Sequence, residues 1–536
     1  MSNQTEKFIK GAVILSLAGL IAKVLSAVYR IPLSHMVGLD GIGYYDTVYP
    51  IYSILVAVSL VGVPNAVSKM VAEDLAHGQY KRAHKTFVDS MIVIVIIGSI
   101  VTAIMFFGSS VIIKLQNWGP EYRFVLYGLA ISPVFISITG AIRGYFQGMQ
   151  IMKPTAISQV IEAAGKVVIG LALVQLLLGK NLDLVMVVSG AAVGASMGFV
   201  LSTIYMLIVY YRHKPALNAQ ILLDTTPVEQ QFYADIVRKI LLLTIPVTIV
   251  STVYSIMNEI DSAMLYGIFG NMGYSASYVR DIFGNKAMAF TVVNVPLTIS
   301  LALAMSVVPA IAQANSLKDY VERNHKIEEA IKLALLFALP ASMGIFVLAR
   351  PLLFLLYSGI PIDPWFLRLY SICLVFMILG QTLAGILQGM TKQYMPLISL
   401  GLAIIVKIIL NMVLAPYFIQ GYGAPISSII YYAIFVGLNM MMIIHYSKIH
   451  INWFQNAVKP FLAVIVMALA VYYSYQLVHS IIGSNAVSTV AGIFIGVISY
   501  AIALVLLRIM TREDVSAITK NKRLIKWLER YRLLRK

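Results

Sequence analysis

Long apolar runs dominate this chain, and two of them carry a lysine near their middle. A transmembrane helix needs about 20 consecutive apolar residues, and the sequence contains fourteen runs of that kind. Lys166 lies in the fifth run and Lys407 in the eleventh, and each follows a Gln-Gly-Met tripeptide by nineteen residues, counted from Gln147 and Gln388. Charge at bilayer depth is costly and normally faces a polar interior. The pattern therefore predicts a duplicated, all-α integral membrane protein with a charged interior.

The composition agrees with this class. Hydrophobic residues make up 60% of the 536 positions and charged residues only 12%, whereas soluble domains carry about 25% charged residues. We place the fourteen transmembrane helices near residues 11–34, 44–67, 88–113, 122–145, 155–178, 184–211, 237–260, 286–312, 330–356, 366–388, 396–418, 424–446, 458–479 and 486–508.

A duplicated unit of six spans explains the sequence matches between the two halves. Gln-Gly-Met and the lysine after it recur at an offset of 241 residues, and Val63-Pro64 recurs as Val308-Pro309. Because six is even, both copies enter the membrane in the same direction, so a pseudo-two-fold axis along the membrane normal is expected to relate them. The predicted parts are a six-helix N-lobe, a cytoplasmic linker, a six-helix C-lobe, two extra C-terminal helices and a basic amphipathic tail, at residues 1–213, 214–236, 237–446, 447–509 and 510–536.

The net charge of +17 is distributed unevenly along the chain. With a cytoplasmic N-terminus, 29 of the 40 Lys and Arg residues fall on the cytoplasmic side, Arg143 among them, and seven on the outer side, including Lys286. This bias is the one expected for membrane proteins, and it predicts that both termini are cytoplasmic and that nucleic acid is not a partner. The basic tail is expected either to lie on an anionic leaflet or to act only as a topology anchor.

The charged residues inside the spans are the candidate site. Lys23 and Arg30 lie seven residues apart on the first span and share a helix face, although Arg30 could instead snorkel to the outer surface. Lys166 is four residues after Glu162, so these two could form a charge pair on one helix. Lys407 has no acid on its own helix. It is expected either to face a cavity or to pair with an acid of span seven, Glu259 or Asp261.

Signals for catalysis do not occur in the sequence. There is no GxxxxGK[ST], HExxH or GxSxG motif, and the single cysteine, Cys373, cannot form an internal disulfide or a cysteine-rich metal site. We therefore expect no enzyme activity, no cofactor and no metal. A duplicated membrane protein with a charged interior instead indicates transport, for which the membrane potential, H⁺ or Na⁺ are the candidate coupling sources.

The segment 143–149, Arg-Gly-Tyr-Phe-Gln-Gly-Met, followed by Pro154 and the run to Glu162, resembles the polysaccharide-transport branch of the MOP flippase superfamily. The resemblance covers essentially the whole chain, and within that branch the chain is similar to the stage V sporulation protein B group and to MurJ-type lipid II flippases. It implies that Lys23 and Lys69 correspond to the family's cavity cations. Tyr29-Arg30 stands where the family has Arg-Asp, and Lys286 is only a weak substitute for the arginine before span eight.

The family resemblance also implies an activity. It is the translocation of an undecaprenyl-pyrophosphate-linked glycan, first of all lipid II, from the inner to the outer leaflet of a bacterial plasma membrane by alternating access. Expected partners are the lipid-linked glycan, the bilayer and cell-wall synthesis proteins. Two alternatives share the fold: a flippase for another lipid-linked polysaccharide, and a cation-coupled multidrug exporter that would use Glu259 or Asp261 as its proton or sodium site. A non-transporting scaffold recruited by the basic tail is a third alternative.

Overall fold

A computed structural model describes residues 2–57, 62–224, 233–418 and 420–510, and helices make up nearly all of these residues. In the N-terminal part they are α1 (Ser2–Ala57), α2 (Val63–Ala76), α3 (Tyr80–Phe107), α4 (Ser109–Leu115), α5 (Tyr122–Ala130), α6 (Ser132–Gly148), α7 (Lys153–Leu178) and α8 (Leu184–Leu223). The next six are α9 (Tyr233–Ser251), α10 (Val253–Asn271), α11 (Ala276–Ser316), α12 (Tyr320–Val347), α13 (Ala349–Leu356) and α14 (Pro364–Gly389). The last are α15 (Met395–Tyr417), α16 (Gly423–Ser447), α17 (Lys459–Ile482) and α18 (Asn485–Leu506).

Eleven helical segments in the described part of the chain are long and apolar enough to cross a membrane. They match predicted spans three to six and nine to fourteen individually, whereas one continuous segment, Leu17–Ile54, covers most of the first predicted span and the start of the second. The predicted seventh and eighth spans fall on α9, α10 and α11, which are not among the eleven. The all-helical membrane fold is confirmed, and the count of fourteen spans stays a prediction.

Glycine and proline explain how the first two predicted spans are arranged. Inside α1, Gly38 has φ 68° and ψ −170°, a backbone conformation that residues with a Cβ rarely adopt. The helix is therefore kinked at this residue, between the first and second predicted spans. Pro64 lies in the first turn of α2, where the missing N–H of proline removes no helical hydrogen bond. The second predicted span, 44–67, is thus divided between the end of α1 and the start of α2.

The chain divides into two compact units. The first consists of Met1–Met288 and Lys407–Ala424, and the second of Ala289–Val406 and Pro425–Lys536. In the first unit α7 packs against α8 and α1, and α6 packs against α2 and α3. Gly190, Gly194 and Gly198 recur every four residues along α8, so they share one face. A Cβ at Gly165 of α7 would lie 3.0 Å from the Cα of Gly198, and such small residues let membrane helices approach closely.

The second unit brings the last two helices against α12. α17 packs on both α12 and α18, and Leu348, Val464, Met467 and Val471 form a buried apolar cluster. A π-helical turn, Phe454–Val458, precedes α17. Its Asn456 donates a hydrogen bond of 2.7 Å to Glu328 of α12. The two helices outside the predicted repeat are therefore tied to their unit by polar contacts at one end and by apolar packing along their length.

Two glycines at equivalent positions of the Gln-Gly-Met motifs make the same contact in their own units. A Cβ at Gly148 would lie 2.9 Å from the carbonyl oxygen of Ser68 and 2.9 Å from the Cβ three residues further on. A Cβ at Gly389 would lie 3.0 Å from the carbonyl oxygen of Val308 and 3.0 Å from the Cβ three residues further on. The repeated contact supports the duplication. The contacted carbonyls lie 240 residues apart, whereas the two Val-Pro sequences lie 245 residues apart. The residues matched by Val-Pro are therefore not the ones that make the equivalent contact.

Candidate functional site

The ammonium group of Lys407, on α15, lies in a fully buried group of charged side chains in the first unit. Its Nζ lies 2.6 Å from Asp261 Oδ1, and the Nζ of Lys286 lies 2.7 Å from Asp261 Oδ2. The Nδ2 of Asn411, one helical turn after Lys407, donates to Asp261 Oδ1 at 2.9 Å. We call these four residues the Asp261 cluster. It contains two ammonium groups for one carboxylate, and all three charged side chains are at most 1% exposed.

The Asp261 cluster decides between the two expectations for Lys407. Of the candidate acids of span seven, Asp261 is the one that binds this lysine. Glu259, two residues earlier on α10, accepts a hydrogen bond of 2.6 Å from Gln116 Nε2. Its Oε2 is buried and has no hydrogen-bond partner among the described residues. Both oxygens of Asp261 are occupied by donors, and Glu259 keeps one that is not.

Arg30 forms an ion pair and does not simply snorkel to the surface. Its guanidinium binds Asp46 and donates to the carbonyl oxygen of Ala287 at 3.0 Å. The two charged side chains are only 18% and 9% exposed. Asp46 lies beyond the Gly38 kink, so this pair connects the two helical segments of α1 and joins both to α11.

Lys166 lies among tyrosines. Its Nζ is 5.3 Å from the ring centre of Tyr29 and 5.1 Å from that of Tyr49, and 3.5 Å from the Tyr49 hydroxyl. Tyr45 stacks on Tyr49 at 5.2 Å, and Tyr52 lies 5.4 Å from Tyr49. We call Tyr29, Tyr45, Tyr49 and Tyr52 the tyrosine box. No ion pair joins Lys166 to an acid within the described residues, so the expected pair with Glu162 is wrong.

Arg143 is the partner that Glu162 takes instead. The Arg143 guanidinium donates to Glu162 at 3.0 Å, to Ser158 at 2.8 Å and to Ser202 at 3.1 Å. Its side chain is 1% exposed, so a residue that was assigned to the cytoplasmic side from the sequence lies buried in an ion pair. The missed signal was Ser158 and Glu162, which lie four residues apart and therefore present hydrogen-bond acceptors on one face of α7.

Lys286 was not predicted to belong to a buried charge cluster, because the eighth span was predicted to begin at residue 286 and Lys286 was assigned to the outer side. Helix α11 begins ten residues earlier, at Ala276, so Lys286 lies nearly three turns inside the helix and is buried. A helix boundary, the least reliable part of a sequence-based prediction, thus concealed a member of the Asp261 cluster.

Lys23 and Lys69, the two cations assigned by the family resemblance, have exposed side chains on α1 and α2. Neither forms an ion pair or hydrogen bond with any residue that the structure describes. Leu20 and Val24, beside Lys23, are also exposed, at 38% and 53%. Lys23 therefore offers an uncommitted charge on an otherwise apolar helix face.

A polar cavity of about 240 Å³ in the first unit is lined by Met70, Glu73, Asp74, His77, Gln79, Arg82, Thr86 and Lys239. Asp74 there is already bound by Arg82 at 3.2 Å and Thr86 at 2.7 Å. Within the described residues, no group of three or more His, Cys, Asp or Glu side chains could hold a metal. Residues 225–232 of the linker and 511–536 of the basic tail lie outside the described residues.

An all-helical chain with many membrane-crossing helices and charges buried between them is a multi-pass membrane protein. The comparisons with known proteins define its class further. The family model described as "Polysaccharide biosynthesis protein" matches residues 8–315, and the MatE model matches residues 246–413. The first match covers more than half of the sequence. The chain belongs to the polysaccharide biosynthesis protein family.

Curated relatives and solved structures agree with this family. The chain is 24% identical to the lipid II flippase MurJ of Bacillus subtilis (strain 168), over 89% of this chain and 90% of that protein. It is 25% identical to the stage V sporulation protein B of the same organism, over 67% and 68%. The fold matches lipid II flippase MurJ in an inward closed conformation with a TM-score of 0.64 at 15% identity, covering 92% of this chain and 97% of that one. It matches an inward-facing MATE family multidrug resistance transporter with a TM-score of 0.60 at 15% identity, covering 81% and 96%.

Proposed function

We propose that this chain is a flippase that moves an undecaprenyl-pyrophosphate-linked glycan, first of all lipid II, from the inner to the outer leaflet of a bacterial plasma membrane, with both termini in the cytoplasm. The observation that carries the proposal is Lys23, an ammonium group with no partner among the described residues on an exposed apolar face. A pyrophosphate bears about two negative charges and binds ammonium groups at close range, while a prenyl tail requires an apolar surface. Lys23, Leu20 and Val24 offer both.

The family supports this choice of substrate. The curated relatives that the chain matches along most of its length include a protein named lipid II flippase. Lys69 provides a second cation with no partner among the described residues, which suits a ligand with two phosphates. By contrast, Arg30 and Lys407 already bind carboxylates, so their proposed contact with substrate requires those pairs to open during transport. Such opening is expected of a carrier in which these ion pairs form in the empty state and are replaced by contacts with the substrate in the loaded state.

Depletion of the resident lipid II flippase in a bacterium provides the test. We expect the wild-type chain to restore growth and to prevent lipid II from accumulating in the inner leaflet. Lys23→Ala and Lys69→Ala should each lower the transport rate roughly ten- to hundredfold, since each removes one charge-assisted contact. Lys180→Ala, at an exposed lysine just beyond the end of α7, is the matched control and should keep full activity at equal membrane abundance.

A multidrug exporter coupled to cations is the second candidate function, and Glu259 is the observation that favours it. Its unpaired buried oxygen and its place within the region matched by the MatE model suit a proton or sodium site better than Asp261, whose oxygens are occupied. If the wild-type chain fails to replace the lipid II flippase but lowers cellular accumulation of cationic dyes, and Glu259→Gln abolishes that effect, the exporter replaces the flippase proposal. If the chain does not rescue growth, and a different lipid-linked glycan accumulates in cells that lack this chain, the result would instead indicate a flippase for another polysaccharide.

A further inference from the structure

Lys166 and Lys407 occupy equivalent positions in the sequence repeat, yet their ammonium groups have different partners. Lys407 lies 2.6 Å from a carboxylate and is fully buried. Lys166 is half-buried, and its one hydrogen bond within the described residues is the 3.5 Å contact with Tyr49, at the outer limit for such a bond. An ammonium group has three N–H donors. Most of the hydrogen-bonding capacity of Lys166 is therefore unused by the described residues, and none of their carboxylates forms an ion pair with it.

The offset of 241 residues that relates the two lysines holds from the Gln-Gly-Met motif onward, so Asn411, one turn after Lys407, corresponds to Gly170, one turn after Lys166. The amide that helps to hold Asp261 beside Lys407 is thus replaced by a hydrogen atom. Asp261 lies 2.6 Å from Lys407, whereas no carboxylate of the described residues forms an ion pair with Lys166.

The tyrosine box has further unused donors. The hydroxyls of Tyr29 and Tyr45 are buried and have no hydrogen-bond partner among the described residues, and the two side chains are 0% and 2% exposed. Gly170 leaves room for one of them, because a Cβ there would lie 2.9 Å from the Tyr29 hydroxyl. Buried polar groups without partners are rare and costly. The ring faces stabilise the Lys166 charge, and the hydroxyls offer donors to an acceptor that the described residues do not supply.

We propose that Lys166 and the tyrosine box bind the phosphate of a membrane lipid, which supplies beside Lys166 the negative charge that Asp261 supplies beside Lys407. The phosphate would accept hydrogen bonds from Lys166 and from the tyrosine hydroxyls. Nearby Glu162 does not compete, since Arg143 holds it at 3.0 Å, and Arg30 is held by Asp46. This inference rests on the proposed function in one respect, the expectation that the phosphate belongs to the polyprenyl substrate. A phospholipid headgroup has the same chemistry and is the other source.

Native mass spectrometry of the purified full-length chain can test this site with defined lipids. The probes are undecaprenyl pyrophosphate, undecaprenol, which lacks phosphate, and phosphatidylglycerol. We expect wild type to prefer undecaprenyl pyrophosphate over undecaprenol, and Lys166→Gln to lose roughly tenfold or more of the affinity for the phosphate-bearing lipid. Lys166→Arg should retain most of the binding, and Tyr29→Phe/Tyr45→Phe should lose a smaller part. Lys180→Gln is the control at an exposed lysine outside the box.

The outcomes separate this site from the transport activity. Equal phosphate-lipid affinity of wild type and a folded Lys166→Gln variant would overturn the lipid-phosphate site, even if the chain still replaced a lipid II flippase. A loss confined to phosphatidylglycerol would support the site and assign it to the phospholipid. A loss for undecaprenyl pyrophosphate in a chain that replaces no flippase would support the site while the proposed function fails. Thermal melting of each variant identifies any loss of binding that comes from unfolding.

Discussion

Replacing Asp261 by asparagine should destabilise the protein more than removing either lysine that binds it. The substitution leaves the buried ammonium groups of Lys286 and Lys407, both at most 1% exposed, without their carboxylate. Removing one partner from a buried ion pair costs about 3–5 kcal/mol, and here two like charges would also remain close together. We expect Asp261→Asn to lower the free energy of unfolding by at least that amount, measured as a large fall in melting temperature of the purified chain in detergent.

Single lysine replacements provide the matched controls for this prediction. Lys407→Met and Lys286→Met each leave one ammonium paired with one carboxylate, so their cost should be well below that of Asp261→Asn. Because methionine has a similar length and packs in irregular spaces, little volume is lost. Asp261→Asn combined with Lys407→Met should recover part of the stability lost in Asp261→Asn alone. A Lys407→Met variant that melts as low as Asp261→Asn would contradict the excess of positive charge in this cluster.

The structure of the Asp261 cluster also shows which parts of the site could be predicted from the sequence. Long apolar runs predicted the helices, and the repeated Gln-Gly-Met motif predicted that Lys166 and Lys407 occupy equivalent places. The family was also recognised from local motifs. Partners were harder to predict, because Lys407 meets an acid 146 positions earlier in the chain. The sequence offered Asp261 and Glu259 as alternatives, and only the direction of the side chains on α10 separates them.

The ion pair predicted within one helix, Glu162 with Lys166, does not form for a physical reason. A spacing of four residues puts Glu162 and Lys166 on the same face of α7, but the pairing energy at such a spacing is only about 0.2–0.5 kcal/mol. A buried guanidinium from another helix offers several donors in a fixed geometry and binds Glu162 more effectively. Arg143 does this across a separation of 19 residues. The tyrosines then take over the contact with Lys166, which neither charge nor spacing predicted.

The differences between the repeats suggest a direct test of the Arg143–Glu162 pair. At an offset of 241 residues, Arg143 corresponds to Ala384 and Glu162 to Ala403, so the second half lacks both charges. Ala384 and Ala403 are both buried, so the corresponding region folds without this pair. The absence of both charges agrees with the general rule for buried ion pairs. Such a pair stabilises a protein little more than apolar packing does, whereas one charge left without its partner is costly.

We therefore expect Glu162→Met to destabilise the chain by about 3–5 kcal/mol and Arg143→Met to destabilise it less. The order follows from burial, because Arg143 is 1% exposed and Glu162 is 19% exposed, so an unpaired carboxylate reaches solvent more easily than an unpaired guanidinium. The double variant should be more stable than Glu162→Met alone. Ser158 and Ser202 lose Arg143 as a donor, but their hydroxyls keep bonds to the carbonyls of Thr155 and Ser158. Melting temperatures of the three variants give the coupling, and additive losses would show that the pair is not a unit.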